Sequence, residues 1–274
     1  MTATDDQVEL AERDFRRLRD MLHARAGIDL GPEKRALVAN RLHRRLRALD
    51  LVTYQEYTDL VLQPGQEHEQ QTAVDLLTTN ETYFFREPQH FTFLKDWIGG
   101  NDKPGHAWRI WSAACSSGEE PFSIAMTLAD ALGGAERWEV VGSDISRRVL
   151  ARAARAHYPL LRMEYFPRDY LRRFCLKGIG PEAGTLLVDR AVRKRVAFRT
   201  INLMERLPEL GLFDAVFLRN ALIYFNREDR QSILRRVQAT LRPGGHLFVS
   251  HSESLHGLVE GLDLVQPSVY CRPG

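Results

Sequence analysis

The chain is poor in cysteine. Three occur among 274 residues, Cys115, Cys175 and Cys271, far apart and odd in number. That excludes a disulfide framework and a cysteine zinc site, and it makes a reducing cytoplasm the simplest home. Histidine carries no metal signature either. The nine histidines are scattered, and the closest spacing, five residues as in His251 and His256 of HSESLH, suits no common helical metal pair. No metal is therefore expected. No apolar run is long enough to cross a bilayer, and the opening MTATDDQVEL is acidic and polar, unlike a secretory signal. Membrane insertion is not expected. Charge of one sign is not in excess: 38 Lys and Arg stand against 36 Asp and Glu, a net +2. Any basic patch is local, and nucleic acid is not an expected partner. The G-x-G-x-x-G fingerprint is missing, as are internal repeats and low-complexity tracts. A monomer is expected.

What is present is ordinary globular material, 44% hydrophobic and 27% charged, enough for a full core. Its grammar changes along the chain. QVELAERDFRRLRDMLHARAG has helical periodicity and a C-cap at Gly27. GPEKRALVANRLHRRLRALD opens a second helix near Pro32 and runs to Asp50. TYQEYTDLVLQ is a third, capped by Thr53. PGQEHEQQ reads as a loop, and TAVDLLTTN as a fourth short helix. From Trp108, strands alternate with helices: WRIWSAAC, EEPFSIAMTLADAL, WEVVGSDIS, RRVLARAARAHY, RVAFRTINL, FDAVFLRNAL, REDRQSILRRVQATL, GGHLFVSHSES and finally SVYCR. This alternation predicts a mostly parallel three-layer α/β sheet. Between Tyr158 and Arg195 it lapses into glycine turns and short alternating runs, an antiparallel excursion. The expected organisation is a helical domain over 1–76, an α/β domain over 77–274 and an inserted β-subdomain over 158–197.

Ligands of parallel sheets bind beyond the carboxyl ends of the strands. The first strand-to-helix turn, SAACSSGEEP, is built of small residues that let a ligand approach the backbone. Glu119 and Glu120 follow it at the start of a helix, where acids complement the dipole. Two carboxylates there repel a pyrophosphate and suit a cationic ligand. S-adenosylmethionine, with a sulfonium and an ammonium, fits this charge better than a nicotinamide dinucleotide. Asp144 ends the next strand, where an acid accepts ribose hydrogen bonds or caps the following helix. Asn202 ends a later strand, as an adenine reader or a turn residue. In the second helix Val38, Leu42, Leu46 and Leu49 fall on one face, with Lys34, Arg41, Arg44 and Arg47 largely on the other.

The stretch NETYFFRE, Asn80 to Glu87, sets three adjacent aromatics before an arginine. Taken with TTNETYFFRE, IWSAACSSGEEPFSIAMTLAD, FDAVFLRNALIYFN and LRPGGHLFVSHSESL in that order, the chain resembles the chemotaxis receptor methyltransferase (CheR) family over nearly its whole length. The resemblance implies a Rossmann-like S-adenosylmethionine-dependent methyltransferase sheet with a small N-terminal all-helical domain and a small antiparallel β-subdomain insertion. It implies methyl transfer from S-adenosylmethionine to glutamate side chains of bacterial chemoreceptors, with S-adenosylhomocysteine as product. Asn80, Thr82 and Arg86 then face the cofactor, Glu119 holds its amino group, Asp144 its ribose, Asn202 and Leu203 flank the adenine, and Arg219 and Asn220 complete the pocket. Arg86 and Tyr224 are the catalytic candidates. The basic face of Lys34, Arg41, Arg44 and Arg47 docks the receptor's cytoplasmic helical bundle, against the plainer reading of a solvated face. The β-subdomain resembles the part that, in some members, grips a receptor's C-terminal peptide as an added strand, and the turn GIGPEAG permits that tether. An alternative reading is a methyltransferase or S-adenosylmethionine sensor acting on a signalling partner outside chemotaxis.

Overall fold

A computed structural model of the chain describes residues 9–133, 137–161 and 163–274. The first eight residues, which include the start of the expected opening helix, lie outside the described residues, as does Arg162 of the expected insertion. The chain forms two compact units, one holding the residues up to Thr79 together with Tyr224–Asn226, the other Asn80–Ile223 with Arg227–Gly274.

The first unit is helical. Helix α1 (Glu12–Ala26) buries Phe15, Leu18 and Leu22 and stops at Gly27, whose φ of 69° is the left-handed cap conformation that glycine takes without a Cβ penalty. The stretch from Pro32 is not one helix. Pro32–Lys34 makes a 3₁₀ turn before α2 (Arg35–Ala48), so Lys34 sits ahead of α2. Val38, Leu42 and Leu46 are buried as the helical spacing predicts, while Leu49 follows the helix and is half-buried. Helix α3 (Tyr54–Val61) starts on a full capping box, Thr53 receiving the Glu56 N–H and Glu56 receiving the Thr53 N–H. The polar run expected as a loop is helical from Glu67, in α4 (Glu67–Leu77). The reason is tertiary. Glu69 points inward, where Arg45 grips it with two hydrogen bonds and the Tyr57 hydroxyl donates at 3.0 Å. A buried carboxylate so paired belongs to the core despite its composition.

The second unit is a three-layer α/β fold. It begins with α5 (Gln89–Asn101), a helix the alternation did not reveal. Then follow β1 (Trp108–Ala113), α6 (Glu119–Ala131), β2 (Trp138–Asp144) and α7 (Arg147–Arg155). The excursion contains β3 (His157–Pro159), α8 (Arg168–Phe174), β4 (Cys175–Lys177), β5 (Thr185–Val188) and α9 (Arg190–Arg193). The main sheet resumes with β6 (Val196–Thr200), β7 (Phe213–Leu218), α10 (Arg227–Ala239), β8 (Leu241–Phe248), β9 (Asp263–Gln266) and β10 (Val269–Cys271). Its order is β6-β2-β1-β7-β8-β10-β9, with β6 to β8 mutually parallel and β10 antiparallel to both neighbours. Strands β3, β5 and β4 form a separate antiparallel sheet. The order turns back at β1, so the carboxyl ends of β1, β2 and β7 open a crevice at the switch point. Every residue of β7 is buried, as expected for a parallel strand covered on both faces.

Candidate active site

The segment Asn80–Glu87 runs beside this crevice, and its aromatics are anchors. Phe84 and Phe85 are buried. Phe84 meets Tyr158 edge-on at 5.0 Å between centroids and lies 4.9 Å from Phe166. Phe85 packs edge-on against Phe91, Phe166 and Tyr170. Tyr83 stacks on Tyr165. Two non-glycine residues here, Phe85 (φ 55°) and Glu87 (φ 59°), take the left-handed conformation. Such strain costs about 1–3 kcal/mol per residue. Burying each phenylalanine returns about 1.5–3 kcal/mol, and the Phe85 N–H also donates to Ser123 Oγ at 3.0 Å.

The turn after β1 is fixed from two sides. Asp144 receives the Ser116 N–H at 2.8 Å on one carboxylate oxygen and the Ser146 N–H at 2.9 Å on the other. Ser116 Oγ donates to the Asn80 carbonyl at 2.9 Å. Asp144 thus holds the turn whatever else it binds, while the capping hydroxyl of α7 is that of Ser146. Gly118 (φ 95°) closes the turn, and a Cβ on it would lie 2.7 Å from Ala153 Cβ and 2.9 Å from the Tyr158 hydroxyl. Glycine is required here by close approach as well as by φ.

A cavity of about 490 Å³ lies against this turn, lined among others by Asn80, Thr82, Ser117, Glu119, Arg152 and Tyr158. Glu119 is 7% exposed and accepts from Ser117 Oγ at 2.7 Å. Burial pushes its carboxyl above the ordinary value, against the opposing pull of the Ser117 hydroxyl and the Arg152 charge. Only one of the two adjacent acids serves the cavity. Glu120 accepts from Ser112 Oγ at 2.7 Å and pairs with the Arg219 guanidinium at 2.7 Å. The expected pair of carboxylates facing a cationic ligand is therefore one carboxylate, because Glu120 has its own buried cation.

Arg219 does not line the cavity. Its side chain is 1% exposed, pairs with Glu120 and with Glu87 at 3.3 Å, and donates to the Arg86 carbonyl. It clamps the Asn80–Glu87 segment to the sheet. Asn220 (φ 56°) donates its N–H to Glu253 Oε2 at 2.9 Å and its side-chain amide to Ser250 Oγ at 2.7 Å. Glu253, which burial pushes up in pKa, also takes the Ser250 N–H at 2.9 Å. Glu253 was not among the expected site residues, although the acid within HSESL stands out in the sequence. Asn202 closes a turn after β6, accepting the Met204 N–H at 3.0 Å and donating to Glu205 at 2.9 Å. Leu203 is buried beside it. Asp144, Asn202, Leu203, Arg219 and Asn220 lie outside the cavity lining. The Arg86 guanidinium donates to the Glu81 carbonyl at 3.2 Å and sits 5.7 Å from the Tyr83 ring centre. Tyr224 ends a 3₁₀ turn and groups with the helical unit, its carbonyl accepting the Asp29 N–H at 2.9 Å. On α2, Arg41 leaves the expected basic face. It donates to the Leu77 and Thr78 carbonyls at 2.6 and 3.1 Å and to Thr79 Oγ1 at 3.2 Å, tying down the end of α4. Lys34, Arg44 and Arg47 are exposed.

Residues 80–271 match the CheR methyltransferase SAM binding domain, and residues 13–78 match the CheR methyltransferase all-alpha domain. The chain belongs to the CheR methyltransferase family. It is 41% identical to the chemotaxis protein methyltransferase of Salmonella typhimurium, over 96% of this chain and 91% of that one. It is 40% identical to the Escherichia coli protein of the same name, over 97% and 92%, and 44% identical to chemotaxis protein methyltransferase 2 of Pseudomonas aeruginosa, over 91% and 89%. The cofactor of this CheR fold is S-adenosylmethionine, and the cavity fits its chemistry. Its methionyl end is a zwitterion, and the cavity offers the buried Glu119 carboxylate for an ammonium and the Arg152 guanidinium for a carboxylate. Among the described residues no helix is long and apolar enough to cross a membrane.

Proposed function

We propose that the protein is a protein-glutamate O-methyltransferase of chemotaxis that acts in the cytoplasm on glutamate side chains of chemoreceptors. The observation that carries this reading is the likeness of both units, over more than nine-tenths of the chain, to proteins named chemotaxis protein methyltransferase. A cavity whose one buried acid suits the cofactor's ammonium supports it. When bound, the cofactor supplies an electrophilic methyl on sulfur. The acceptor glutamate, with a pKa near 4.3, is ionised at neutral pH, so the chain needs no general base. Its task is to align and desolvate, which is worth up to about 7–11 kcal/mol in favourable cases.

On this reading Glu119 receives the ammonium, and Asn80 and Thr82 contact the cofactor from the anchored segment. Asp144 and Asn202 with Leu203 serve its nucleoside end, with Asp144 also fixing the turn. Arg219 and Asn220 act by holding the segments that flank the cleft. Arg86 orients the acceptor carboxylate, since its guanidinium has donors beyond the one the Glu81 carbonyl takes. Tyr224 positions the acceptor near the methyl. The helical unit is the receptor-docking domain, with Lys34, Arg44 and Arg47 as its exposed cations. The β3-β5-β4 sheet, whose outer strands pair only with β5 among the described residues, is where a receptor's C-terminal peptide adds a strand.

The test is transfer of isotope-labelled methyl from S-adenosylmethionine to receptor-containing membranes, with the modified residues mapped by mass spectrometry. Label on receptor glutamates, released as methanol by mild base as from a methyl ester, is expected. Label confined to other residues, or no transfer, overturns the reading.

A further inference from the structure

Glu87, His90 and His251 bring three ligand atoms within 4.8 Å of one another. None of the three lines the cofactor cavity. His90 lies in the first turn of α5, three residues after Glu87, and His251 follows β8, so the fold brings His251 to a pair that is local in sequence. Glu87 Oε2 lies 3.5 Å from His90 Nδ1 and 3.8 Å from His251 Nε2. Tetrahedral ligands at zinc bond lengths stand about 3.4 Å apart, so the two Glu87 separations are close to that spacing and the imidazoles would draw inward on binding.

One assignment of protons satisfies every surrounding hydrogen bond. Ser268 Oγ donates to the Pro267 carbonyl at 2.6 Å. With its proton spent, the same oxygen accepts from His90 Nε2 at 2.7 Å and from His251 Nδ1 at 3.1 Å. Both imidazoles are thereby held with the lone pair on the other nitrogen, the one facing Glu87. Glu87 is oriented in the same way: Ser250 Oγ donates at 2.8 Å to Oε1, leaving Oε2 to the cluster. Three electron-pair donors converge, each turned by an outer hydrogen bond, as in metal sites whose second shell sets tautomer and angle.

Two of these atoms have no hydrogen-bond partner. His90 is 0% exposed, and its Nδ1 is buried and unsatisfied, as is Glu87 Oε2. An unpartnered buried acceptor is unfavourable, and two facing each other call for something electropositive between them. The guanidinium of Arg219 partly answers Glu87 but is shared with Glu120. Two carboxylates against one guanidinium leave one negative charge for a further cation. On the solvent side, the exposed Gln89 amide touches His251 Nε2, and a cation bound there would displace it.

We propose that Glu87 Oε2, His90 Nδ1 and His251 Nε2 form a three-ligand site for one zinc-type divalent cation. Two imidazoles and a carboxylate are a zinc donor set, with water completing the tetrahedron on the open His251 side. A cation there would draw Glu87 partly from Arg219 and bind the Asn80–Glu87 segment to the loop after β8.

The untagged full-length protein is dialysed against Zn²⁺ and, separately, Co²⁺, with bound metal measured by elemental analysis and the cobalt form by visible absorption. One metal per chain and the intense bands of four-coordinate cobalt without thiolate charge transfer are expected. His251→Ala, which changes a partly exposed side chain, and Glu87→Gln should each weaken binding at least tenfold while circular dichroism stays unchanged. Absence of stoichiometric uptake overturns the proposal. So does uptake that neither substitution changes, or a thiolate band that assigns the metal to cysteine.

Discussion

Replacing Glu119 by glutamine separates what the buried acid does for the fold from what it does for the ligand. The substitution keeps the volume, and the amide oxygen can still accept from Ser117 Oγ, now at 2.7 Å from the carboxylate. Burial raises the Glu119 carboxyl above its ordinary value. A carboxyl whose folded pKa is raised contributes most below its unfolded pKa and loses that contribution as pH rises through the folded value. At pH 7 the ionised carboxylate is therefore a cost that glutamine removes. The variant should be at least as stable as the wild type in urea at pH 7, and the difference should shrink on acidification as Glu119 protonates. Cofactor binding should move the other way. A charged hydrogen bond to an ammonium contributes about 1.5–3 kcal/mol, so affinity for S-adenosylhomocysteine should fall roughly 10- to 150-fold. Wild-type affinity should also weaken as pH drops through the Glu119 pKa, and that of the variant should not. Calorimetric titration at several pH values measures both. A variant that binds within twofold of wild type at pH 7 would refute the role of Glu119 as the ammonium's partner.

Arg219→Ala should destabilise by about 3 kcal/mol, since it leaves Glu120 and Glu87 as partly buried carboxylates without their buried cation; urea denaturation reads this, and a loss under 1 kcal/mol would deny it a clamping role. Arg44→Glu with Arg47→Glu should cut receptor methylation severalfold, more at low salt than at high, while S-adenosylhomocysteine affinity stays constant; unchanged receptor methylation returns this face to solvent. Arg41→Ala should instead lower thermal stability, because its guanidinium holds the carbonyls that end α4. Arg86→Ala and Tyr224→Phe should each depress turnover with the urea midpoint little changed, and wild-type rates in both would remove them from the chemistry.

Local chemistry was legible in the sequence because it is decided by neighbours along the chain. The cap at Gly27, the Thr53 capping box, the apolar stripe of Val38, Leu42 and Leu46, and the alternation from β1 to β8 each depend on residues within a turn or a strand. So does the small-residue turn with Glu119 at its edge. What the sequence left open was settled by partners distant in the chain. The polar run at Glu67 became helix because Arg45 and Tyr57 were waiting for Glu69. Two adjacent acids that look alike in sequence parted company because Arg219 reaches Glu120 and the cavity reaches Glu119. Arg41 shares the periodicity of Arg44 and Arg47, yet the end of α4 claims it. Scattered histidines with no motif spacing converged on Glu87 because α5 and the loop after β8 meet. Periodicity reports which face a side chain occupies; only the fold decides what stands opposite, and for a charged or polar group the occupant opposite determines its role.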